Sequence, residues 1–152
     1  MNLFFKVLPV LTIMLFSINS IAKDNGLPDW YDFNRDAVLD LNHAAKIADG
    51  KKILVIAGGE WCSWCHILNK FIHSNTEVSK LLYETFVVLK VNYSEENMNQ
   101  EFFEKYPKIK GYPAFIILDS NKQYLASQDT SKLELGKSYS KDAMLSFLKK
   151  WN

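Results

Sequence analysis

Both cysteines of the 152-residue chain lie three positions apart, in the stretch that runs from Lys51 to Phe71. The stretch begins with an apolar, β-branched run, continues through Gly58-Gly59, and reaches Cys62 and Cys65 where apolar residues begin to recur at helical spacing. This pattern predicts a buried strand, a tight glycine turn and a helix whose first turn carries two thiols. We expect the rest of the chain to be scaffold, or contact surface for a partner, around that dithiol.

The bulk composition limits the class of protein. With 48% apolar and 14% aromatic residues, the chain is expected to form one globular domain. The formal net charge of +1 is spread over alternating lysines and acids, so it gives no footprint for nucleic acid or a membrane surface. No segment stands out as a dimerisation element, and we expect a monomer.

The N-terminus resembles a secretory signal peptide. Lys6 is the one charged residue before position 23, an apolar run extends from Val7 to Ile18, and Ser20-Ile21-Ala22 supplies small residues for a signal peptidase. We therefore expect cleavage after Ala22, a periplasmic location, and a mature domain of residues 23–152 with no stable membrane insertion. An uncleaved membrane anchor is the alternative, because the apolar segment is almost long enough to span a bilayer.

Apolar runs and capping residues predict the element order β-α-β-α-β-α-β-β-α. Strands are predicted at 30–33, 52–57, 86–91, 114–118 and 123–126. A first helix is predicted between a cap at Asn34 or Asp36 and its end at Asp49-Gly50. Further helices are predicted after Cys62 with a restart at a Ser74–Glu77 capping box, at 97–106, and after Ser140. Alternating strands and helices indicate an α/β fold, in which a central mixed sheet is flanked by helices and ends in an antiparallel hairpin.

The position of the dithiol favours redox chemistry. Unpaired N–H groups and the positive end of a helix dipole stabilise a thiolate at Cys62, which makes it the attacking nucleophile. Cys65, one turn later, is placed to resolve a mixed disulfide. A redox disulfide between Cys62 and Cys65 closes too small a loop to stabilise the fold much, so we expect the pair to serve chemistry, with no cofactor or metal.

Two other interpretations stay open at this point. Cys62, Cys65 and His66 together also satisfy the C-x-x-C-H signature of c-type haem attachment. The same three side chains are of the type that copper(I) or zinc prefers, which makes a metal carrier a second alternative.

Further motifs resemble the thioredoxin-like thiol–disulfide oxidoreductases. The hexapeptide Glu60-Trp61-Cys62-Ser63-Trp64-Cys65 is similar to the family's tryptophan-prefixed C-x-x-C, and Tyr112-Pro113 to its cis-proline. Lys90-Val91-Asn92 is similar to the family's strand with a lysine behind the active site. The resemblance covers residues 36–151 and implies a thioredoxin fold and a protein-disulfide oxidoreductase that acts on protein thiols and disulfides.

Within that family, the chain is similar to small exported bacterial proteins and to the C-terminal periplasmic domain of the transmembrane thiol:disulfide interchange reductant transporter. This likeness implies a membrane thiol redox partner and favours a reductase or an isomerase over an oxidase.

The resemblance also assigns substrate contacts. It implies that Pro113 faces the dithiol and orients substrate backbone, with Tyr112 in contact beside it. We expect Trp64 to offer an exposed apolar surface to the partner, because a two-residue turn cannot easily bury it. Trp61 is expected to pack beside Cys62 and limit access to it.

One departure concerns proton handling. Thioredoxins carry a buried aspartate six residues before the first cysteine, and Ile56 occupies that position here. Glu60, Lys90 or water are then the candidates for tuning Cys65. His66, four residues after Cys62, either stabilises the thiolate when protonated or is an exposed histidine without a role.

Overall fold

The computed structural model describes residues 26–152, so the predicted signal peptide, residues 1–22, lies outside the described residues. Five α-helices, a 3-10 helix and six strands make up the described chain. In order they are α1 (Ala37–Ile47), β1 (Lys52–Gly58), α2 (Ser63–Ser74), α3 (Thr76–Thr85), β2 (Phe86–Asn92), α4 (Gln100–Phe103), β3 (Ala114–Leu118), β4 (Tyr124–Asp129), a 3-10 helix (Thr130–Leu133), β5 (Glu134–Leu135), β6 (Ser138–Tyr139) and α5 (Lys141–Lys149).

The central sheet has the strand order β2-β1-β3-β4. Strand β1 pairs in parallel with β2 and antiparallel with β3, and β4 returns antiparallel to β3. Six of the seven β1 residues are buried, as the continuous apolar run of the sequence predicts for a strand covered on both faces. The predicted α/β fold, a mixed sheet flanked by helices, is confirmed.

Alternate residues of β1 enter two separate hydrophobic clusters. Ile53 and Val55 pack with residues of α1 and with Phe102 of α4. Leu54 and Ile56 pack on the opposite face with α2, α3 and α5. Both cysteines belong to this second cluster, so the dithiol is an extension of one face of the core.

The predicted first strand at 30–33 is wrong. This segment forms bends and turns, and the element order opens on α1. Burial does not alternate along it, because Tyr31 is buried while Phe33, two residues later, is exposed. The backbone N–H of Tyr31 donates to the Glu60 carboxylate at 3.1 Å and not to a neighbouring strand. A side chain near the dithiol therefore takes the hydrogen bond that a strand would need.

The predicted helix restart after α2 is confirmed, but its capping box is wrong. The N-cap of α3 is Asn75, which makes no side-chain capping hydrogen bond. The Ser74 hydroxyl instead donates to the Phe71 carbonyl at 3.2 Å, so it satisfies the end of α2. The helix predicted at 97–106 is also shorter, because Asn99 adopts a left-handed backbone (φ 45°) and α4 begins only after it.

The segment after β4 has no clear periodicity in the sequence and forms the 3-10 helix and the small β5–β6 hairpin. The last helix begins where it is predicted, since the Ser140 hydroxyl accepts the Ala143 N–H at 3.2 Å. Among residues 26–152, no helix combines the length and apolar character needed to cross a membrane.

Candidate active site

Cys62 and Cys65 form a disulfide at the start of α2. Their sulfurs are 2.19 Å apart and their Cα atoms 5.2 Å apart. Cys62 is the N-cap residue, and its sulfur accepts the backbone N–H of Cys65 at 3.2 Å. The strand–helix junction predicted for the dithiol is therefore confirmed, and the sulfur that lies nearest the unpaired N–H groups of the helix is that of Cys62.

This arrangement favours a thiolate at Cys62 after reduction. An anionic sulfur at the N-cap receives a charge-assisted hydrogen bond from the helix backbone and lies at the positive end of the helix dipole. Both effects lower the pKa of a thiol. Cys62 is 4% exposed and Cys65 is 2% exposed, so Cys65 is the more enclosed of the two.

Gly58, the last residue of β1, provides space at the dithiol. A Cβ at this position would lie 2.5 Å from the Cys65 sulfur and 2.9 Å from the Tyr31 hydroxyl oxygen. Neither Gly58 nor Gly59 has a positive φ. The predicted tight turn is present, since the Cys62 N–H donates to the Gly59 carbonyl at 3.0 Å. The structural reason for glycine at position 58 is space, because a side chain there would overlap the Cys65 sulfur.

An aromatic patch, formed by the exposed Trp61 and the half-buried Tyr93 and Tyr112, lies beside the dithiol loop. The Trp61 indole N–H donates to the Tyr93 carbonyl at 2.7 Å. The Trp61 ring meets the edge of Tyr112 at 5.6 Å, and Tyr112 stacks on Tyr93 at 5.3 Å between ring centroids. These contacts bring Tyr112, and the cis peptide bond that joins it to Pro113, beside the residue that precedes Cys62.

The two tryptophans have the opposite exposure from that expected. Trp61, predicted to pack beside Cys62, is 58% exposed. Trp64, predicted to offer an exposed surface, is half-buried and meets the edge of the Tyr139 ring at 5.6 Å. The β5–β6 hairpin, which the sequence does not predict, supplies Tyr139 and so covers Trp64.

Pro113 is held by a residue that sequence reasoning missed. The buried Thr130 hydroxyl donates to the Pro113 carbonyl at 2.5 Å. Thr130 opens the 3-10 helix in the segment without periodicity, and no signal in that segment identifies it.

Glu60 and His66 interact with each other near the dithiol. The His66 Nε2 lies 2.7 Å from the Glu60 carbonyl oxygen and 3.7 Å from the Glu60 carboxylate, and both side chains are more than half exposed. The Glu60 carboxylate also accepts the Tyr31 N–H. The imidazole of His66 is thus bound to Glu60, while the His66 backbone N–H donates to the Cys62 carbonyl at 3.3 Å.

Lys90 is buried behind the site, as expected, but its ammonium group is already bound by three oxygen atoms. It lies 2.6 Å from the Asp29 carboxylate, and it donates to the Asp29 carbonyl at 2.7 Å and to the Asn69 side-chain oxygen at 2.8 Å. Lys90 therefore ties the segment before α1 to α2.

The aspartate position of thioredoxins is part of the apolar core here. Ile56 is 1% exposed and lies opposite Lys90 on β2 and Phe115 on β3. The phenol of Tyr31 and the Cys65 sulfur both border Gly58, and Tyr31 is a residue that is 5% exposed and that the sequence alone does not single out.

The metal alternative is not supported by the arrangement of side chains. Within the described part of the chain, no group of three or more His, Cys, Asp or Glu residues is arranged to hold a metal ion. A metal site on Cys62 and Cys65 would need His66 as its third ligand, and the His66 ring faces Glu60 instead.

Comparison with known proteins gives a consistent result. A model of the thioredoxin-like family matches residues 34–120. The human spermatogenesis-associated protein 20 is 29% identical over 99 residues, which are 62% of this chain and 12% of that protein. The thiol:disulfide interchange protein DsbD of Shigella boydii is 29% identical over 84 residues, which are 55% of this chain and 15% of that protein.

A solved structure agrees with these matches. The disulphide isomerase of Xylella fastidiosa superimposes with a TM-score of 0.68 at 25% identity, over 82% of this chain and 95% of that one. Its fold thus corresponds to almost the whole of the described chain, whereas the two sequence relatives are much longer proteins.

Proposed function

The chain belongs to the thioredoxin-like family, and we propose that it is a protein-disulfide oxidoreductase that works through Cys62 and Cys65. The observation that carries the proposal is the Cys62–Cys65 disulfide at the first turn of α2, with the Cys62 sulfur accepting a helix N–H. A cysteine pair in this position alternates between dithiol and disulfide without a cofactor.

In the reducing direction the reaction has two exchange steps. The Cys62 thiolate attacks one sulfur of a substrate disulfide, a Cys62–substrate disulfide forms, and the other substrate sulfur leaves as a thiolate that takes a proton from solvent. Cys65 then loses its proton to solvent and attacks the Cys62 sulfur. The bond from Cys62 to the substrate breaks, the second substrate sulfur leaves, and two electrons have passed to the substrate.

The surroundings of Cys62 fit a protein substrate. The aromatic patch of Trp61, Tyr93 and Tyr112 offers apolar surface next to the reacting sulfur, which is the kind of surface that a partner protein buries. Pro113 is the residue we assign to the substrate backbone. Trp64, being half-buried under Tyr139, contributes less contact area than the exposed Trp61.

The proposal is tested with cysteine variants in an insulin-reduction assay. Cys62→Ala is expected to abolish exchange, while Cys65→Ala is expected to accumulate mixed disulfides with partner proteins, which a non-reducing gel detects. Turnover of Cys62→Ala at the wild-type rate would refute the mechanism.

The two alternative functions have tests of their own. A Soret band in the purified protein would support haem attachment. One tightly held equivalent of metal, without insulin reduction, would support the metal carrier.

We assign the direction of electron flow to a reductase or an isomerase. The support is the similarity to DsbD and to a disulphide isomerase. Reductases, isomerases and oxidases share this site and differ in reduction potential over about 150 mV. Equilibration of the Cys62–Cys65 pair with glutathione measures that potential, and a value in the range of the strong oxidants would overturn the assignment.

Export and a membrane thiol partner belong to the same proposal. A periplasmic enzyme of this kind needs a thiol donor to restore its dithiol, and a membrane redox protein is the partner we propose. Mass spectrometry of the periplasmic fraction is expected to find a chain that begins at Lys23. A chain that begins at Met1 in the membrane fraction would favour the uncleaved anchor.

A further inference from the structure

A buried phenol shares the space beside Gly58 with the inner cysteine. The Tyr31 hydroxyl oxygen and the Cys65 sulfur lie within 2.9 Å and 2.5 Å, respectively, of the position that a Cβ at Gly58 would take. The absence of a side chain at Gly58 thus leaves room for both groups next to one point at the end of β1.

Tyr31 is held in this place from several directions. Its backbone N–H donates to the Glu60 carboxylate at 3.1 Å, so it is tied to the loop that carries Cys62. The neighbouring Asp29 is tied to Lys90 by its carbonyl and by its carboxylate. The Lys90 ammonium lies 5.9 Å from the centre of the Tyr31 ring. A segment without regular structure is therefore fixed at the tyrosine itself and two residues before it.

The inner cysteine has few other polar neighbours. Ile56, where thioredoxins have a carboxylate, is apolar, and Cys65 is packed in a hydrophobic cluster with Leu68 and Phe115. A thiolate in such surroundings is costly unless a donor faces it. Tyr31 belongs to the same cluster and carries a hydroxyl group.

We propose that the Tyr31 hydroxyl donates a hydrogen bond to the Cys65 sulfur once the disulfide is reduced, and that it stabilises the thiolate that resolves the mixed disulfide. The proposal deepens the proposed function and rests on it. Tyr31 is a positioning residue in this step and remains a phenol throughout. The proton of Cys65 goes to solvent, and the Cys65 thiolate attacks the Cys62 sulfur as described above.

Tyr31 keeps the phenol proton that a hydrogen-bond donor needs. Burial is the main cause that raises the pKa of Tyr31, and the nearby Tyr139, Glu60 and Asp29 act in the same direction. The opposing charge is the Lys90 ammonium over the ring. The phenol therefore keeps its proton over the pH range in which thiols titrate, so changes in thiol reactivity in that range report the cysteine and not the tyrosine.

The test measures the thiol pKa of Cys65 in a Cys62→Ser background, where Cys65 is the one remaining thiol. The rate of alkylation by iodoacetamide is followed from pH 6 to pH 10. With Tyr31→Phe added, the Cys65 pKa is expected to rise by about one unit, as loss of one hydrogen bond to a charged sulfur implies, with about tenfold slower alkylation near neutral pH. The matched control is Tyr106→Phe, which removes the hydroxyl of a tyrosine packed against the hydrophobic cluster on the other face of the sheet and is expected to leave the profile unchanged.

A second substitution is expected to shift the Cys65 pKa in the opposite direction. Tyr31 replaced by 3-fluorotyrosine is a more acidic donor, and it is expected to lower the Cys65 pKa while the packing is kept. The fluorotyrosine measurement decides whether the Tyr31 hydroxyl acts on Cys65 if Tyr31→Phe proves unstable in thermal unfolding. Identical alkylation profiles for wild-type, phenylalanine and fluorotyrosine proteins would overturn the proposal.

Failure of this proposal is distinguishable from failure of the proposed function. In the chain with both cysteines, Tyr31→Phe is expected to slow release of the substrate from the mixed disulfide, while the rate of attack by Cys62 is unchanged. If the enzyme turns over and release is unaffected, the role of Tyr31 is refuted and the function stands. If Cys62→Ala retains turnover, the function itself is refuted, whatever the alkylation profile of Cys65.

Discussion

The hydroxyl of Thr130 donates a hydrogen bond to the carbonyl oxygen of Pro113 at 2.5 Å, and both residues are buried. The contact joins the loop before β3 to the 3-10 helix after β4, at the point where the proline approaches the dithiol loop through Tyr112 and Trp61. We infer that this hydrogen bond fixes the loop that we assign to binding of the substrate backbone.

Thr130→Val keeps the shape of the side chain but removes the donor, and it leaves a buried carbonyl without its partner. We expect the free energy of unfolding to fall by about 1–3 kcal/mol and KM for insulin to rise while kcat changes less. Urea unfolding and steady-state reduction of insulin measure the two effects. Thr130→Ser, which retains the hydroxyl, is the control, and a valine variant that equals it in both assays would contradict the inference.

Within the aromatic patch, the Trp61 indole N–H donates to the Tyr93 carbonyl and so holds the Trp61 ring in place. Trp61→Phe removes this hydrogen bond and keeps an aromatic ring, so we expect KM for a protein substrate to rise about fivefold. Reduction of a small aromatic disulfide is expected to change little, because such a substrate does not need the patch. Trp30→Phe alters a tryptophan of the same 58% exposure outside the patch. Equal effects of both substitutions would argue against the patch as a contact surface.

The ion pair between Lys90 and Asp29 is asymmetric in burial, because the lysine side chain is 6% exposed and the aspartate side chain 49%. Asp29→Asn leaves a buried ammonium without its counter-charge, whereas Lys90→Met leaves a carboxylate that water can solvate. We expect Asp29→Asn to cost about 1–3 kcal/mol of unfolding free energy and Lys90→Met to cost less.

Urea unfolding measures both variants of this pair. Lys105→Met, which removes a partner from the exposed Lys105–Glu101 pair, is the control and is expected to have almost no effect. The reverse order of the two costs would show that the ammonium is well solvated without Asp29.

Sequence reasoning identifies what local chemistry dictates and misses what depends on distant contacts. The strands β1, β2 and β3 and the dithiol helix follow from apolar runs, capping and the cysteine spacing, and their positions are confirmed. The segment at 30–33 is also predicted as a strand, but it ends in a turn and the Tyr31 N–H donates to Glu60, 29 residues away. Local patterns carry no information on such a contact.

In the candidate site, too, some features follow from the local sequence and others depend on distant contacts. The placement of Cys62 and Cys65 at a helix start follows from the sequence, because a strand and a helix adjoin there. The burial of Trp64 depends on Tyr139, which arrives from a hairpin 75 positions later, and the approach of Tyr31 to Cys65 depends on Gly58 being empty. Contacts between residues far apart in sequence thus decide which side chains near the dithiol are exposed and which are enclosed.

High pH is expected to destabilise the fold through Tyr139. Burial is the main cause that raises the pKa of Tyr139 to about 12, while a tyrosine in the unfolded chain titrates near pH 10. Above pH 10 the unfolded state therefore loses its proton first, so the stabilisation is complete below pH 10 and is lost as pH rises toward 12.

The oxidised protein is unfolded in urea at several pH values between 9 and 12, and the free energy of unfolding is plotted against pH. Tyr139→Phe has no proton to lose at this position, so we expect its curve to fall less steeply above pH 10 than that of the wild type. Trp61→Phe removes no ionisable group and is expected to keep the wild-type slope. Parallel curves for Tyr139→Phe and wild type would mean that the Tyr139 hydroxyl titrates equally in the folded and unfolded states, against the burial observed beside Trp64 and Phe71.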